Sequence, residues 1–358
     1  MISSSFPDSY ATARAAFRLA TLSAACDHQD FPHPNEHDDR GAPLTIDVAR
    51  IGPESPRQLL VILSGMHGVE LPAGAAIQTN WLMSRGATVI PGDMAVLFIH
   101  AVNALGCWQR RRMTDGNVDI CRNFVDFSTE LPENPFYAVL ADAINGLPDD
   151  ASADANLQRY TQREGPAAMV AGVMGGQYSD PQGFSYGGSS RTWSADTLSA
   201  ILHSTGSGAE AVVVMDIHTG VGAKGAMTPI CLQTGETATR ARTWLGPETM
   251  LPQVDRKDEE SLHPASGHPT EEYERIFSGR SITSLVIEFG TLPPAQTLPV
   301  LLREHRLTRR GATAMELKAV RDLLWQQHAP VDIKWQQAVL RQGTLAIDKV
   351  IYQMHKGN

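Results

Sequence analysis

The chain has 358 residues, with 30 Lys and Arg against 39 Asp and Glu, a formal net charge of −9. At 42% hydrophobic and 19% charged residues it carries enough apolar side chains for a sizeable core, which excludes wholesale disorder. An acidic chain with no basic cluster longer than Arg110-Arg111-Arg112 repels phosphate backbones, and no apolar run approaches the roughly 20 residues of a membrane helix. Neither nucleic acid nor membrane is an expected partner.

The first residues lack the basic start and apolar stretch of a secretory signal. Cys26, Cys107, Cys121 and Cys231 lie far apart with no CxxC pair, which predicts reduced thiols and a cytoplasmic location. Ser9 to Cys26 is Ala-rich with apolar residues at helical spacing and predicts one amphipathic helix. Asp27 to Arg40 holds His28, His33 and His37 among acids and prolines without regular ligand spacing, and reads as a solvated loop.

Four short apolar runs follow: Leu59–Leu63, Ala95–Ile99, Ala211–Met215 and Ser284–Ile287. Their near-continuous apolar character predicts strands covered on both faces. Helices are expected over Pro72–Ser84, Ser194–His203, Glu236–Leu245, Ala314–Gln327 and Trp335–Met354. This alternation predicts an α/β layered sheet. Gly175 to Gly188, rich in Gly with one Pro, predicts a long functional loop. No internal repeat or low-complexity linker divides the chain. The expectation is a single domain, with an N-terminal helix (9–26), a core (45–310) and C-terminal helices (311–354).

The chemistry gathers at the ends of the predicted strands. Leu59–Leu63 runs into Ser-Gly-Met-His-Gly-Val-Glu, which puts His67 and Glu70 past the C-terminal edge where open α/β sheets bind ligands. Ala211–Met215 leads to His218, and Ser284–Ile287 to Glu288. Any one of these side chains has an ordinary structural reading, such as an acid in a helix's first turn. A carboxylate beside an apolar run, as at Glu288, is costly unless paired or linked to a metal. Two histidines and two acids delivered to one side of a sheet predict a metal site.

With those residues in place, the chain resembles a bacterial family, domain of unknown function 2817, within the carboxypeptidase A-like zinc peptidase superfamily. SYATARAAF, LTIDVARIGPE, LSGMHGVE, NVDICRNF, GGQYSDPQGFSYGG, DIHTG and VIEFGT carry the resemblance, in that order, over nearly the whole chain. It implies a mixed, mostly parallel sheet flanked by helices on both faces, and one Zn2+ per chain held by His67, Glu70 and His218. Glu288 is then the general base and proton shuttle. Arg122 matches the arginine that holds a substrate carboxylate, with Asn123 beside it, and Arg111 or Arg112 faces the developing oxyanion. Tyr186 and Tyr273 are the candidates for an assisting phenol, with the Gly-rich loop lining the pocket. Asp216 is expected to point to the opposite face from His218 if the strand continues.

Three positions depart from the family pattern. Cys121 stands where Asn is usual, and a thiol cannot replace an amide's hydrogen bonds to a carboxylate. It reads either as inert packing or as a thiol able to approach the metal. Leu71 replaces a usual Gly, and Asn103-Ala104 a usual Asn-Pro.

Two other motifs fail on context. Gly183–Gly187 fits G-x-S-x-G but lacks a preceding strand and a following helix. Gly220–Gly225 fits G-x-G-x-x-G, yet Met227–Thr234 reads extended. The expected function is therefore zinc-dependent, carboxypeptidase-like hydrolysis of a peptide or amide bond. Deacylation of a small N-acyl amino acid is the alternative enzyme, and a catalytically silent metal-binding protein the alternative from another class. Oligomeric state is left open.

Overall fold

The computed structural model describes residues 6–86, 90–206, 208–255 and 265–356. In chain order the elements are α1 (Tyr10–Ser23), β1 (Asp27–His37), β2 (Pro43–Ile51), β3 (Gln58–Ser64), α2 (Leu71–Ser84), β4 (Met94–His100) and α3 (Ala104–Gln109). Then come α4 (Pro135–Ile144), α5 (Asp150–Met174), α6 (Trp193–Thr205), β5 (Ala211–Lys224), β6 (Met227–Ile230) and α7 (Gly235–Leu245). α8 (Pro269–Ile276), β7 (Ser281–Gly290), α9 (Pro294–Arg309), α10 (Ala314–His328) and α11 (Ile333–Lys356) complete it.

The seven strands form one mixed sheet in the order β1-β2-β4-β3-β5-β7-β6. The central neighbours β4, β3, β5 and β7 run parallel, and the outer strands β1, β2 and β6 pair antiparallel. The parallel centre is the set of four apolar runs, because strands covered on both faces need apolar residues at every position. One face packs Leu60, Val213 and Ile287 against α1, α2, α7 and α11. The other packs Leu59, Val61 and Val214 against α6 and α8. Helices α4, α5, α9 and α10 build a third cluster around Leu140, Val173, Leu301 and Leu324.

The main correction lies at 27–40. The expected loop contains β1, paired to β2 from Asp27↔Arg50 to His37↔Pro43. An edge strand hydrogen-bonds through its backbone while most side chains face water, so acids, histidines and prolines are compatible with it. Its three histidines bind no common centre: His28 Nε2 lies 3.2 Å from Asp47 Oδ1, and His33 Nδ1 accepts from Asn35 and Glu36 N–H. β2 and helices α3, α4, α5, α8 and α9 also lie beyond the predicted elements. No helix among the described residues is long and apolar enough to cross a membrane.

One buried core histidine makes stability pH-dependent. His100 is fully buried at the end of β4, stacks on Phe17 at 4.6 Å, and has Nδ1 3.1 Å from Gln78 Oε1. Burial pushes its imidazole down from 6.5 to about 4. The unfolded chain therefore takes up this proton first, and stability falls as pH drops from 6.5 to about 4. The loss expected from this group is about 3 kcal/mol. His100→Asn should lose less stability over that range than the unsubstituted chain in urea unfolding. Equal acid slopes would exclude a buried neutral His100.

Candidate metal centre and catalytic cavity

β3 ends at Ser64, which pairs with Ile217, so His218 is the first residue of β5 beyond the shorter strand's end. β5 continues past it, and β7 runs beside it with His218 paired to Glu288. Strand parity sends Val213, Met215 and Ile217 to the α2 and α11 face, and Asp216 and His218 to the other. The expectation for Asp216 is thereby corrected. Residues two apart in a strand share a face, and Asp216 Oδ2 lies 2.9 Å from His218 Nε2.

His67 opens the tight turn Gly68–Glu70 that precedes α2. The turn is pressed against α3: a Cβ on Gly68 would lie 2.0 Å from the Gly106 carbonyl carbon. Val69 N–H donates to Arg111 O at 3.0 Å. This clamp aims Glu70 at both imidazoles. Its Oε1 is 3.0 Å from His67 Nδ1, and its Oε2 is 3.0 Å from His218 Nδ1 while accepting from Thr219 N–H. Asp119, buried at the start of the turn Ile120–Arg122, lies 3.4 Å from His67 Nε2 and accepts from Arg112 Nε at 2.9 Å.

These charges set the protonation of the cluster. Burial and the Arg112 charge push His67 down, but Cys121, Glu70 and Asp119 outweigh them and raise it to about 10. Burial opposes ionisation of Glu70, yet the two imidazoles hold its carboxyl well below the usual carboxylate range. Glu288 goes the other way: burial and the neighbouring Glu70 charge raise it to about 7. Its Oε2 accepts from Val221 N–H at 3.2 Å.

The donor set fits a divalent metal ion. His67 Nδ1 and His218 Nδ1 converge on the two oxygens of Glu70 at 3.0 Å each, while Asp119 and Asp216 stand behind the rings at their Nε2 edges. One ring nitrogen of each histidine and Cys121 Sγ all lie within 4.8 Å of one another. Four carboxylates surround the two imidazoles, so a cation would balance an excess of acceptors.

The cluster lines a cavity of about 320 Å³ together with Arg112, Cys121, Arg122 and Glu288. Arg122 is buttressed on the backbone, with Nε and Nη2 donating to Met174 O and Nη1 to Cys121 O. α5 and α9 supply an apolar wall of Val170, Met174, Leu298 and Leu301. The structure takes the remaining candidates elsewhere. Arg111 lies off the cavity, with Nε 3.6 Å from Glu304 and Nη2 on Asn117. Asn123 ties Gly187 O, Ser190 O and Thr192 N–H together. Tyr186 bridges Val118 and Gln177, and Tyr273 is buried under the sheet face on α8. Among the described residues none of 175–188 lines the cavity.

His268 and His328 do line it, and no sequence signal marked them. His268 precedes α8, and its Nδ1 accepts from Thr270 N–H. Burial, then the Arg122, His218 and His67 charges, push it down to about 3, so it is a neutral donor through Nε2. His328 ends α10 with Nδ1 3.2 Å from Thr219 O. Asp119 stood inside the NVDICRNF block, three residues before Arg122.

Over residues 6–342 the chain matches the family model described as protein of unknown function (DUF2817). The chain belongs to this family. No curated protein matches this DUF2817 chain. Among solved structures it is similar to bovine thrombin-activatable fibrinolysis inhibitor, solved with tick carboxypeptidase inhibitor. That likeness has a TM-score of 0.54 at 10% identity over 99% of this chain and 98% of that one. It shows a shared carboxypeptidase-like α/β fold, as the sequence resemblance implied. A metallo-carboxypeptidase from Burkholderia cenocepacia matches at 0.48, with 10% identity over 96% of this chain and 69% of that one. A putative succinylglutamate desuccinylase/aspartoacylase family protein from Shewanella amazonensis matches at 0.37, with 18% identity over 80% and 73%.

Proposed function

We propose that this DUF2817 chain is a zinc-dependent hydrolase of peptide or amide bonds whose substrate presents a free carboxylate. The observation that carries the reading is the side-by-side placement of His218 and Glu288 on parallel strands, with Glu288 opening into the cavity that His67 and His218 line. His67, Glu70 and His218 would hold the ion. Bound there, zinc supplies Lewis-acid polarisation of a carbonyl and acidifies a water molecule.

The chain's own groups do the rest. Glu288, held through Oε2 by Val221 N–H, takes the proton of the attacking water and returns it to the leaving amine. A carboxyl raised to about 7 suits both transfers near neutral pH. Arg112, with Nη1 3.8 Å from Glu70 Oε1, is the cavity arginine placed to face the developing oxyanion. Arg122 offers its remaining N–H groups to the substrate carboxylate, with His268 Nε2–H as a further donor.

The cavity volume of about 320 Å³, lined on one side by apolar residues of α5 and α9, suits a small substrate, so an N-acyl amino acid is the second reading. The test is turnover of the zinc-loaded protein on dipeptides and N-acyl amino acids, each as free acid and as amide. Free acids are expected to be preferred. Arg122→Ala should raise KM for the acids by about tenfold to a hundredfold and leave the amides little changed. Equal losses on both series would remove Arg122 from carboxylate binding.

A further inference from the structure

His328 lines the cavity, yet the proposed reaction gives it no task. It is the last residue of α10, which packs on α9 and on the turn Gly68–Glu70. Its Nδ1 lies 3.2 Å from Thr219 O and 3.4 Å from Thr219 Oγ1. A carbonyl oxygen only accepts, so Nδ1 carries the proton and Nε2 the lone pair. Burial pushes the imidazole below its usual range despite the nearby Glu70 charge and the Thr219 carbonyl, so the ring is neutral near pH 7. Among the described residues Nε2 has no hydrogen-bond partner, and it is not sealed in the interior. The space it opens to is the cavity.

His328 and His268 stand at different ends of that space. His268 feels the Arg122 charge, whereas His328 feels Glu70 and Arg112. Arg122 marks the end that takes the substrate carboxylate and Arg112 the developing oxyanion, which leaves His328 on the acyl side of the scissile bond. We propose that His328 Nε2 accepts a hydrogen bond from a neutral O–H or N–H on the substrate's acyl group, so that hydroxyacyl and N-blocked aminoacyl amides are preferred over plain alkanoyl ones. This rests on the hydrolase reading above and names the acyl half of its substrate. A free ammonium is a poorer donor here, because Arg112 and a bound metal ion are cationic neighbours.

Amides of one leaving amino acid, the best free acid of the series above, test this with the zinc-loaded protein. Glycolyl against propionyl, and 3-hydroxypropionyl against butyryl, exchange a hydroxyl for a methyl at two distances from the carbonyl. In at least one pair the hydroxyacyl amide is expected to lead by about tenfold to a hundredfold in kcat/KM. His328→Phe keeps a ring of similar volume without the acceptor and should bring that ratio to about one. Ratios near one in both pairs for the unsubstituted protein, or a ratio that survives in His328→Phe, overturn the role of His328 and leave the hydrolase reading standing. A glycyl amide cleaved faster than the glycolyl one overturns the neutral donor. No turnover of any member removes the hydrolase reading and this inference together. Should His328→Phe fail to fold, His328→Leu takes its place, and the two ratios of the unsubstituted protein decide if neither folds.

Discussion

Glu288→Gln is expected to bind metal as the unsubstituted protein does and to lose about a hundredfold to ten-thousandfold in kcat. The amide keeps the shape of the side chain, and its oxygen can still accept from Val221 N–H, the contact that holds Oε2 at 3.2 Å. It cannot take a proton from water. Metal content should be unaffected because His67 and His218 meet Glu70 rather than Glu288. Thermal stability should hold or rise, since burial and the Glu70 charge both work against an ionised Glu288 and the substitution removes that charge. Elemental analysis, kcat and Tm measured together check all three. Full activity in Glu288→Gln would remove the general base and the mechanism with it.

His67→Ala should abolish metal and turnover together and destabilise the apoprotein as well. The ring is 6% exposed and sits between two carboxylates, with Nδ1 3.0 Å from Glu70 and Nε2 3.4 Å from Asp119. Removing it leaves buried acids short of a partner, at a cost of about 3–5 kcal/mol. About one zinc per chain should fall to none. Chelation should lower the Tm of the unsubstituted protein, because an ion that binds only the folded state stabilises it, and should leave His67→Ala unmoved. A chelator response that persists in His67→Ala would place the metal elsewhere.

The sheet's centre and the ends of its strands were legible along the chain. β3, β4, β5 and β7 announce themselves because strands covered by helices on both faces must be apolar throughout. His67, Glu70, His218 and Glu288 follow those runs at short spacing, so locating the strands also located the residues of the cluster. Polar β1 gave no such signal, since an edge strand's pairing resides in its backbone and its side chains are free to look like a loop.

Only the tertiary structure decided what each neighbouring residue does. Arg111 and Arg112 are adjacent in sequence, yet one pairs with Glu304 on α9 and the other reaches Asp119 and Glu70. Strand parity brought Asp216 onto the His218 side, and the turn Ile120–Arg122 brought Asp119 and Cys121 to His67. His268 and His328 enter the cavity from α8 and α10, far along the chain from the strand ends. Tyr186 and Tyr273 sit in promising segments but do not line it. Spacing along a chain determines what lies on one strand or turn. Contacts between distant segments depend on how helices pack against the sheet, and that information is spread over the whole core.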